Sequence, residues 1–352
     1  MSIKRLHRYI SVVVAVLWLL QAVTGCLIVF RWDIDDAGVK GGRGPFDAVA
    51  MGRMLDELST RPGIDVSSVW ASNPAANRFT LSYSDHGHDR VRQIDGSGAG
   101  LRDRADADLW HGGIWDRLSD LHMDLMQGDA GRTFVGLSGL LLLTNLALGL
   151  KLAWPRAGMW LKALRPPKGR APQAILYGWH RMVGLIIVVP ALVVVLAGTC
   201  LAFDDPIAAV FKADVPTPHV AALPAGIGAI APSRALQMAL SAVPGARLSG
   251  FSFPGDHAYY RVRVRAPGEI TRLWGMTTIY VAAADGRVLD IYDARRPHAL
   301  PRMLLDTVYP LHTGQIGGFF GRLIVVLLGL CLIAMIGLGV SLWWVRRPRP
   351  RA

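Results

Sequence analysis

Four long apolar runs leave this chain few ways to fold. They lie near residues 10–30, 134–153, 182–203 and 319–345, and each approaches or exceeds the roughly 20 residues that cross a bilayer core as a helix. With 352 residues, 52% hydrophobic and only 18% charged, the chain is too apolar for an ordinary soluble domain of its size. Two hydrophilic stretches separate the first run from the second and the third from the fourth. The expected class is a polytopic membrane protein with four transmembrane helices.

The net charge of +12 reads as a nucleic-acid signal until its residues are placed. Lys4, Arg5 and Arg8 precede the first run. Lys151, Arg156, Lys162, Arg165, Lys168, Arg170 and Arg181 lie in or beside the loop between the second and third, and Arg346, Arg347, Arg349 and Arg351 end the chain. No acid stands among these 14 basic residues, while the remaining 24 basic and 26 acidic residues nearly cancel. That asymmetry is the positive-inside pattern. It expects both termini and the 155–179 loop in the cytoplasm, with the two long stretches on the outer side of the bilayer, and it argues against nucleic acid as a partner.

The three cysteines, Cys26, Cys200 and Cys331, all sit in apolar runs, so the outer stretches have no disulfide framework. No Cys-x-x-Cys-His occurs for covalent haem attachment. Val23-Thr24-Gly25-Cys26 after a basic start has the outline of a lipoprotein signal. The apolar run continues through Leu27-Ile28-Val29-Phe30, however, and a near-copy lies at 197–203, deep inside the chain. A retained helix is expected.

That near-copy belongs to a duplication. His7-Arg8 and His180-Arg181 each open an apolar run, with Gly25 and Gly198 18 residues after the histidine and Phe30 and Phe203 23 residues after it. A second element repeats at an offset of 190. His122, Gly131, Arg132, Gly149, Trp154 and Arg156 match His312, Gly321, Arg322, Gly339, Trp344 and Arg346. The order helix, outer segment, helix thus occurs twice, and both copies begin on the same side. Parallel repeats of this kind are related by a pseudo-twofold axis along the membrane normal.

Each outer segment reads as one amphipathic helix on a few antiparallel strands. In the first, residues 46–60 place Phe46, Val49, Met54, Leu55 and Leu58 on one face, and strands are expected near 64–71, 77–84 and 89–95. In the second, a helix starts at Pro232-Ser233 and ends before Pro244-Gly245, and strands follow near 247–253, 257–266 and 276–283. Ala284-Asp285-Gly286-Arg287 then turns the chain into a last strand, Val288–Tyr292. The expected division is a first helix in 1–31, an outer domain in 32–118, and an elbow with the second helix in 119–154. After the 155–179 loop come a third helix in 180–203, a second outer domain in 204–308, an elbow with the fourth helix in 309–345, and a basic tail in 346–352.

Of ten histidines, four occupy repeat-related positions at the membrane edges: His7 and His180 on the inner side, His122 and His312 on the outer side. The axis exchanges the members of each pair. Two imidazoles facing each other across an axis can ligate a planar metal macrocycle from both faces, which implies two bis-histidine b-type haems between the helices. Arg8, Arg181, Arg132 and Arg322 then stand where guanidinium groups meet haem propionates. Each residue also has a plainer reading. His7 is one more polar residue of a basic cluster, His122 sits on an amphipathic elbow, and repeats copy functionless residues too. All four histidines survive at matching positions while the other six do not repeat, and that favours ligation.

The remaining candidates carry less. His86-Gly87-His88 reads as a solvated turn, and His219, His257 and His298 as surface residues, while His111 stands as an alternative outer ligand to His122. Gln21, Thr144 and Asn145 inside the runs suggest hydrogen bonds between helices. No Ser/His/Asp triad, phosphate loop or dinucleotide fingerprint is present.

The chain resembles the PepSY-associated transmembrane-helix family of bacterial inner-membrane proteins along nearly its whole length. The resemblance rests on Leu6-His7-Arg8 with Thr24-Gly25, on Trp179-His180-Arg181-Met182-Val183-Gly184-Leu185, and on Tyr309-Pro310-Leu311-His312-Thr313-Gly314. The first copy departs from it, since Ser119-Asp120-Leu121-His122-Met123-Asp124 lacks the Tyr-Pro and Thr-Gly flanks of His312. The resemblance implies PepSY-like α+β domains in the periplasm and haem b, two per chain, on His7, His180, His122 and His312. It also implies an oxidoreductase that takes electrons from a donor on the cytoplasmic side and reduces a ferric siderophore in the periplasm. Arg261, Arg263 and Arg265 alternate on a strand, either to attract an anionic chelate or as a solvated face. The alternatives are a non-enzymatic membrane protein that binds or inhibits a periplasmic partner, and a haem carrier that serves another redox partner.

Overall fold

A computed structural model describes the chain except residues 43, 74–76, 169–170, 221–227, 256, 271–273 and 347–352. Arg43 of the glycine-rich connector, Arg170 of the basic loop, and Arg347, Arg349 and Arg351 of the tail lie outside the described residues. In chain order the first half holds α1 (Ile3–Ile28), α2 (Arg31–Ala37), α3 (Ala48–Ser59), β1 (Ile64–Asn73), β2 (Arg78–Asp85), β3 (His88–Ile94), β4 (Gly100–Ala105), α4 (Ile114–Asp124) and α5 (Gly128–Ala153). A short α6 (Trp160–Ala163) follows, then α7 (Pro172–Ala202), α8 (Asp204–Phe211) and α9 (Pro232–Ala242). The chain continues with β5 (Arg247–Ser252), β6 (Tyr259–Arg265), β7 (Thr277–Ala282), β8 (Val288–Tyr292), α10 (Leu300–His312) and α11 (Gly318–Val345). The chain divides into two units, one holding 1–29, 117–210 and 307–352, the other 30–116 and 211–306.

The first unit is a helical bundle. Its four long helices, α1, α5, α7 and the stretch Gln315–Val345 that includes α11, are each long and apolar enough to cross a membrane, and the 26-residue α1 and α5 are about 39 Å long at 1.5 Å per residue. Helices α1 and α7 each pack against both α5 and α11. Most of their surface is left facing outward, as lipid contact requires. Ile187, Ala191 and Leu328 form a small buried cluster with Leu146, Val183 and Met335 around it. On another seam the contact is polar, and the buried Trp18 donates its indole N–H to Ser138 Oγ at 3.1 Å. Pro172 stands at the first turn of α7, where its missing N–H removes no hydrogen bond.

The second unit is an α+β domain with one antiparallel sheet of eight strands, ordered β4-β3-β2-β1-β5-β6-β7-β8. Two separate small sheets were the expectation. The two hydrophilic segments instead share one sheet, because β1 and β5 pair antiparallel through Ser68–Ser252, Val69–Phe251 and Trp70–Gly250. A strand left at an edge exposes unpaired N–H and C=O groups, and joining the two edges satisfies both. Gly250 permits the junction: a Cβ there would come 2.7 Å from the Trp70 ring. Helices α3 and α9 pack on each other and on the sheet, burying Met51, Leu55, Leu236, Val69, Leu81, Phe251, Val262 and Ile279 in one core. Of the expected face of residues 46–60, Leu55 and Leu58 are buried and Phe46 and Met54 pack against the core, and only Val49 departs from it. Met51, Gly52, Leu55 and Leu58 point inward while Val49 is 69% exposed, and Gly52 lies directly against Ser233 of α9.

Strand β4 was not expected, because its run Leu101-Arg102-Asp103-Arg104 has no apolar alternation. It is an edge strand held by charge. Asp103 accepts from Arg90 and Arg92 of β3, and Arg102 pairs with Asp35 at 2.6 Å. Charged edge strands resist further strand addition. The chain just after α2 is held by a buried arginine. The fully buried Arg78 pairs with Asp36 at 2.9 Å and donates to the Val39 and Gly41 carbonyls. His86-Gly87-His88 forms a tight hairpin turn, with φ of 50° at His86 and 82° at Gly87, between β2 and β3.

Candidate functional site

His7 lies in the second turn of α1, and His180 lies in α7. His122 and His312 sit near the C-terminal ends of the short helices α4 and α10, just before α5 and α11. The missing Tyr-Pro and Thr-Gly flanks of His122 do not change this placement. After α10 the chain turns on Gly314 (φ 73°), and after α4 it turns on two residues that rarely take this conformation, Leu125 (φ 55°) and Met126 (φ 60°).

The four imidazoles form two facing pairs within the bundle. The ring centres of His7 and His180 are 6.4 Å apart, and those of His122 and His312 are 6.1 Å apart. These spacings test the fit of a metal between the rings. A bond of about 2 Å to each nitrogen, plus about 1.1 Å from nitrogen to ring centre, puts two trans imidazoles about 6.2 Å apart. Both pairs meet that figure. His7 and Gly25, the seat of His122, are separated along α1 by about 27 Å at 1.5 Å per residue, so the pairs lie toward opposite ends of the bundle.

Each imidazole is seated against a glycine of a neighbouring helix. A Cβ added at Gly149 would come 3.2 Å from His7, at Gly339 3.4 Å from His180, at Gly25 3.0 Å from His122 and at Gly198 2.5 Å from His312. These are the repeated glycines of the sequence. Without a side chain at each, there is no space for the ring beside the helix.

The hydrogen bonds of the rings select the nitrogen that carries the proton. His7 Nδ1 bonds the Asn145 carbonyl at 3.2 Å and His312 Nδ1 the Val194 carbonyl at 2.9 Å. A carbonyl only accepts, so each Nδ1 carries the proton and Nε2 keeps its lone pair. His122 Nδ1 meets Thr24 Oγ1 at 3.0 Å, and that hydroxyl already donates to the Leu20 carbonyl at 2.8 Å, so it too accepts from the ring. His180 Nδ1 is buried facing the Met335 carbonyl, short of hydrogen-bond geometry. Burial lowers the His312 pKa, opposed by its carbonyl partner, and so favours the neutral ring that ligates metals.

The structure brings some expected residues to these pairs and leaves others apart. His111 is paired with Asp108 at 2.6 Å on an exposed turn of the other unit, and it is His122 that faces His312. Arg181 donates to the Ala153 carbonyl at the end of α5, and Arg322 to the Val29 carbonyl just past the end of α1. Both guanidinium groups thus serve helix C-termini, while Arg8 and Arg132 are exposed. Asn145 makes the expected bond between helices, to Ser11 Oγ at 2.9 Å, whereas Thr144 bonds only within α5. His298 is half-buried, bonded to the Asp293 carbonyl and stacked on Tyr292.

In the sheet unit, Arg263 lies over the Trp70 ring at 5.5 Å and Arg261 is exposed. A groove of about 790 Å³ in the same unit is lined in part by Asp56, Asp65, His257 and Tyr260, with no arginine among its lining residues. Burial pushes the Tyr260 hydroxyl up to about 12, so it stays protonated and donates to the Ile230 carbonyl. What sequence reasoning missed at the histidine pairs is the second layer: the role of the glycines as seats, and the carbonyls of Asn145 and Val194. The glycine repeats were the available signal. The profile of the family described as PepSY-associated TM region matches residues 4–346 of the chain. No curated protein matches it.

Proposed function

This chain belongs to the PepSY-associated TM region family, and from that premise we propose that it is a di-haem reductase of the bacterial inner membrane. It passes electrons from a donor on the cytoplasmic side to a ferric siderophore in the periplasm, and the iron leaves as Fe(II). The observation that carries this reading is the spacing of the two imidazole pairs, 6.4 and 6.1 Å between ring centres. Each pair has glycine seats that leave room for both rings. His7 with His180, and His122 with His312, would hold one haem b each. A haem in such a site supplies one-electron chemistry and no more.

The chain's own part is positioning. Carbonyl and hydroxyl acceptors hold Nδ1 of three of the rings and leave Nε2 with its lone pair, which fixes the tautomer and raises the basicity of that nitrogen. Arg181 and Arg322, half-buried beside the helix ends, are the guanidinium groups best placed to pair with propionates, and Arg8 and Arg132 are their exposed counterparts. The basic residues of the termini and the 155–179 loop support an orientation with these in the cytoplasm. Equivalent glycine seats at offsets of 173 and 190 support the reading as two parallel pseudo-twofold repeats. Reduction weakens the hold of hard oxygen donors on iron, which releases it.

Purified protein grown with haem supply is expected to show two haems b per chain by pyridine haemochrome assay. His180→Ala and His312→Ala should each remove about one. The dithionite-reduced protein is expected to be reoxidised by ferric chelates under anaerobic conditions; lack of reoxidation sinks the reductase reading. A protein with no Soret band would favour the non-enzymatic, partner-binding reading instead.

A further inference from the structure

We infer that Thr24 is a positioning residue of the His122/His312 pair: its hydroxyl stands where a main-chain carbonyl serves His312, and it sets the basicity of His122. The inference rests on the haem reading above and deepens it. Thr24 lies on α1, one residue before the glycine that seats His122, and is 2% exposed. His122 Nδ1 meets its Oγ1 at 3.0 Å. The hydroxyl proton points back along α1, to the Leu20 carbonyl at 2.8 Å and the Gln21 carbonyl at 3.3 Å. A metal on Nε2 leaves the ring proton on Nδ1, so the imidazole donates and the hydroxyl passes the bond on to the main chain.

The other half of the chain shows what this arrangement replaces. His312 Nδ1 bonds the Val194 carbonyl directly at 2.9 Å, and Val194 stands 173 positions after Gln21. The residue 173 positions after Thr24 is Ala197, buried and without a hydroxyl. At the second pair both halves present main chain. His7 Nδ1 bonds the Asn145 carbonyl, and His180 Nδ1 faces the carbonyl of Met335, 190 positions further on. Thr24 thus inserts a hydroxyl between His122 and the carbonyl that its repeat partner reaches unaided. A threonine in an apolar helix commonly does no more than bond the carbonyl four residues back. This one also accepts the ring N–H, and it is a partner that a substitution removes, as no substitution removes a carbonyl.

The test is a redox titration of the full-length, haem-loaded protein. Thr24→Val keeps the shape of the side chain and removes the hydroxyl, whereas Thr24→Ser keeps the hydroxyl. Loss of an outer partner costs about 10- to 100-fold in metal affinity. Ferric haem draws more on ligand basicity than ferrous haem, so it bears more of that loss and the midpoint potential rises. Each tenfold difference between the two states is about 59 mV at one electron. Thr24→Val is therefore expected to raise one of two midpoints, that of the haem missing from His312→Ala, and to shift the low-spin ferric EPR signal of the same haem. The other midpoint stays in place and reports an intact bundle. Thr24→Ser should restore both readouts. Loss of that one haem in Thr24→Val, regained in Thr24→Ser, supports the inference equally. Unchanged midpoints and EPR in Thr24→Val, equal effects at both haems, or a Thr24→Ser that behaves as Thr24→Val overturns the inference while the di-haem reading stands. Wild-type protein that takes up no haem overturns both.

Discussion

A methyl group at Gly198 would sit 2.5 Å from Cε1 of His312, inside any tolerable contact, while one at Gly339 would sit 3.4 Å from His180. The four seats therefore form a graded series. Gly198→Ala is expected to cost most of the haem at its site, Gly25→Ala and Gly149→Ala less, and Gly339→Ala little, read as haem per chain. Alanine is the better helix former by about 1 kcal/mol, so lost haem in these variants is not explained by a weaker helix. Equal occupancy across the series would refute the seating. The repeated glycines were visible in the sequence at their offsets of 173 and 190. What each one touches was not, because a glycine on one helix and a histidine on another meet only once the helices have packed.

Among the elements, the sheet depends on a few polar anchors. Arg78 is fully buried, and it is held by the Asp36 carboxylate and by the backbone carbonyls of Asp36, Val39 and Gly41. Arg78→Ala leaves Asp36 as an uncompensated charge and should destabilise the sheet unit by about 3 to 5 kcal/mol in a denaturant titration. Hydrogen bonds from Arg295 hold the Asp293 carboxyl at about 2, below the ordinary aspartate value of about 3.9. Its folded pKa is depressed, so its contribution is complete above the ordinary value and is lost as pH falls through about 2. Acid titration of the wild type should show a loss of stability in that window that is smaller in Asp293→Asn. The hydrophobic alternation that marks β1 to β3 and β5 to β8 was legible, since period two survives without tertiary context. Strand β4 was not, because its partners Asp35, Arg90 and Arg92 compensate its charges only after folding.

For the whole molecule, the central event is the meeting of β1 and β5, more than 170 residues apart in sequence. It makes each of the two hydrophilic segments dependent on the other. Residues 30–116 expressed alone are expected to aggregate, because β1 keeps an open edge with Val69 and Trp70 on it. Joined to 211–306 they should give one cooperative unfolding transition. Two independent transitions from the joined segments would contradict the shared sheet. Gly250→Val in the full chain tests the same junction, since a side chain there strikes Trp70, and it should lower the melting temperature of the sheet unit while leaving the bundle helical.

Taken by itself, the sequence determined four helices long and apolar enough to cross a membrane, the paired motifs at offsets of 173 and 190, the strands with apolar alternation and the four histidines. Each follows from composition, period or spacing along one segment. Two things were decided only by tertiary structure: which glycine each ring rests on, and that residues 30–116 and 211–306 build one sheet. These are contacts between segments far apart in the chain. Their partners are selected by whole-surface packing and by the need to satisfy buried polar groups, and no local pattern encodes that.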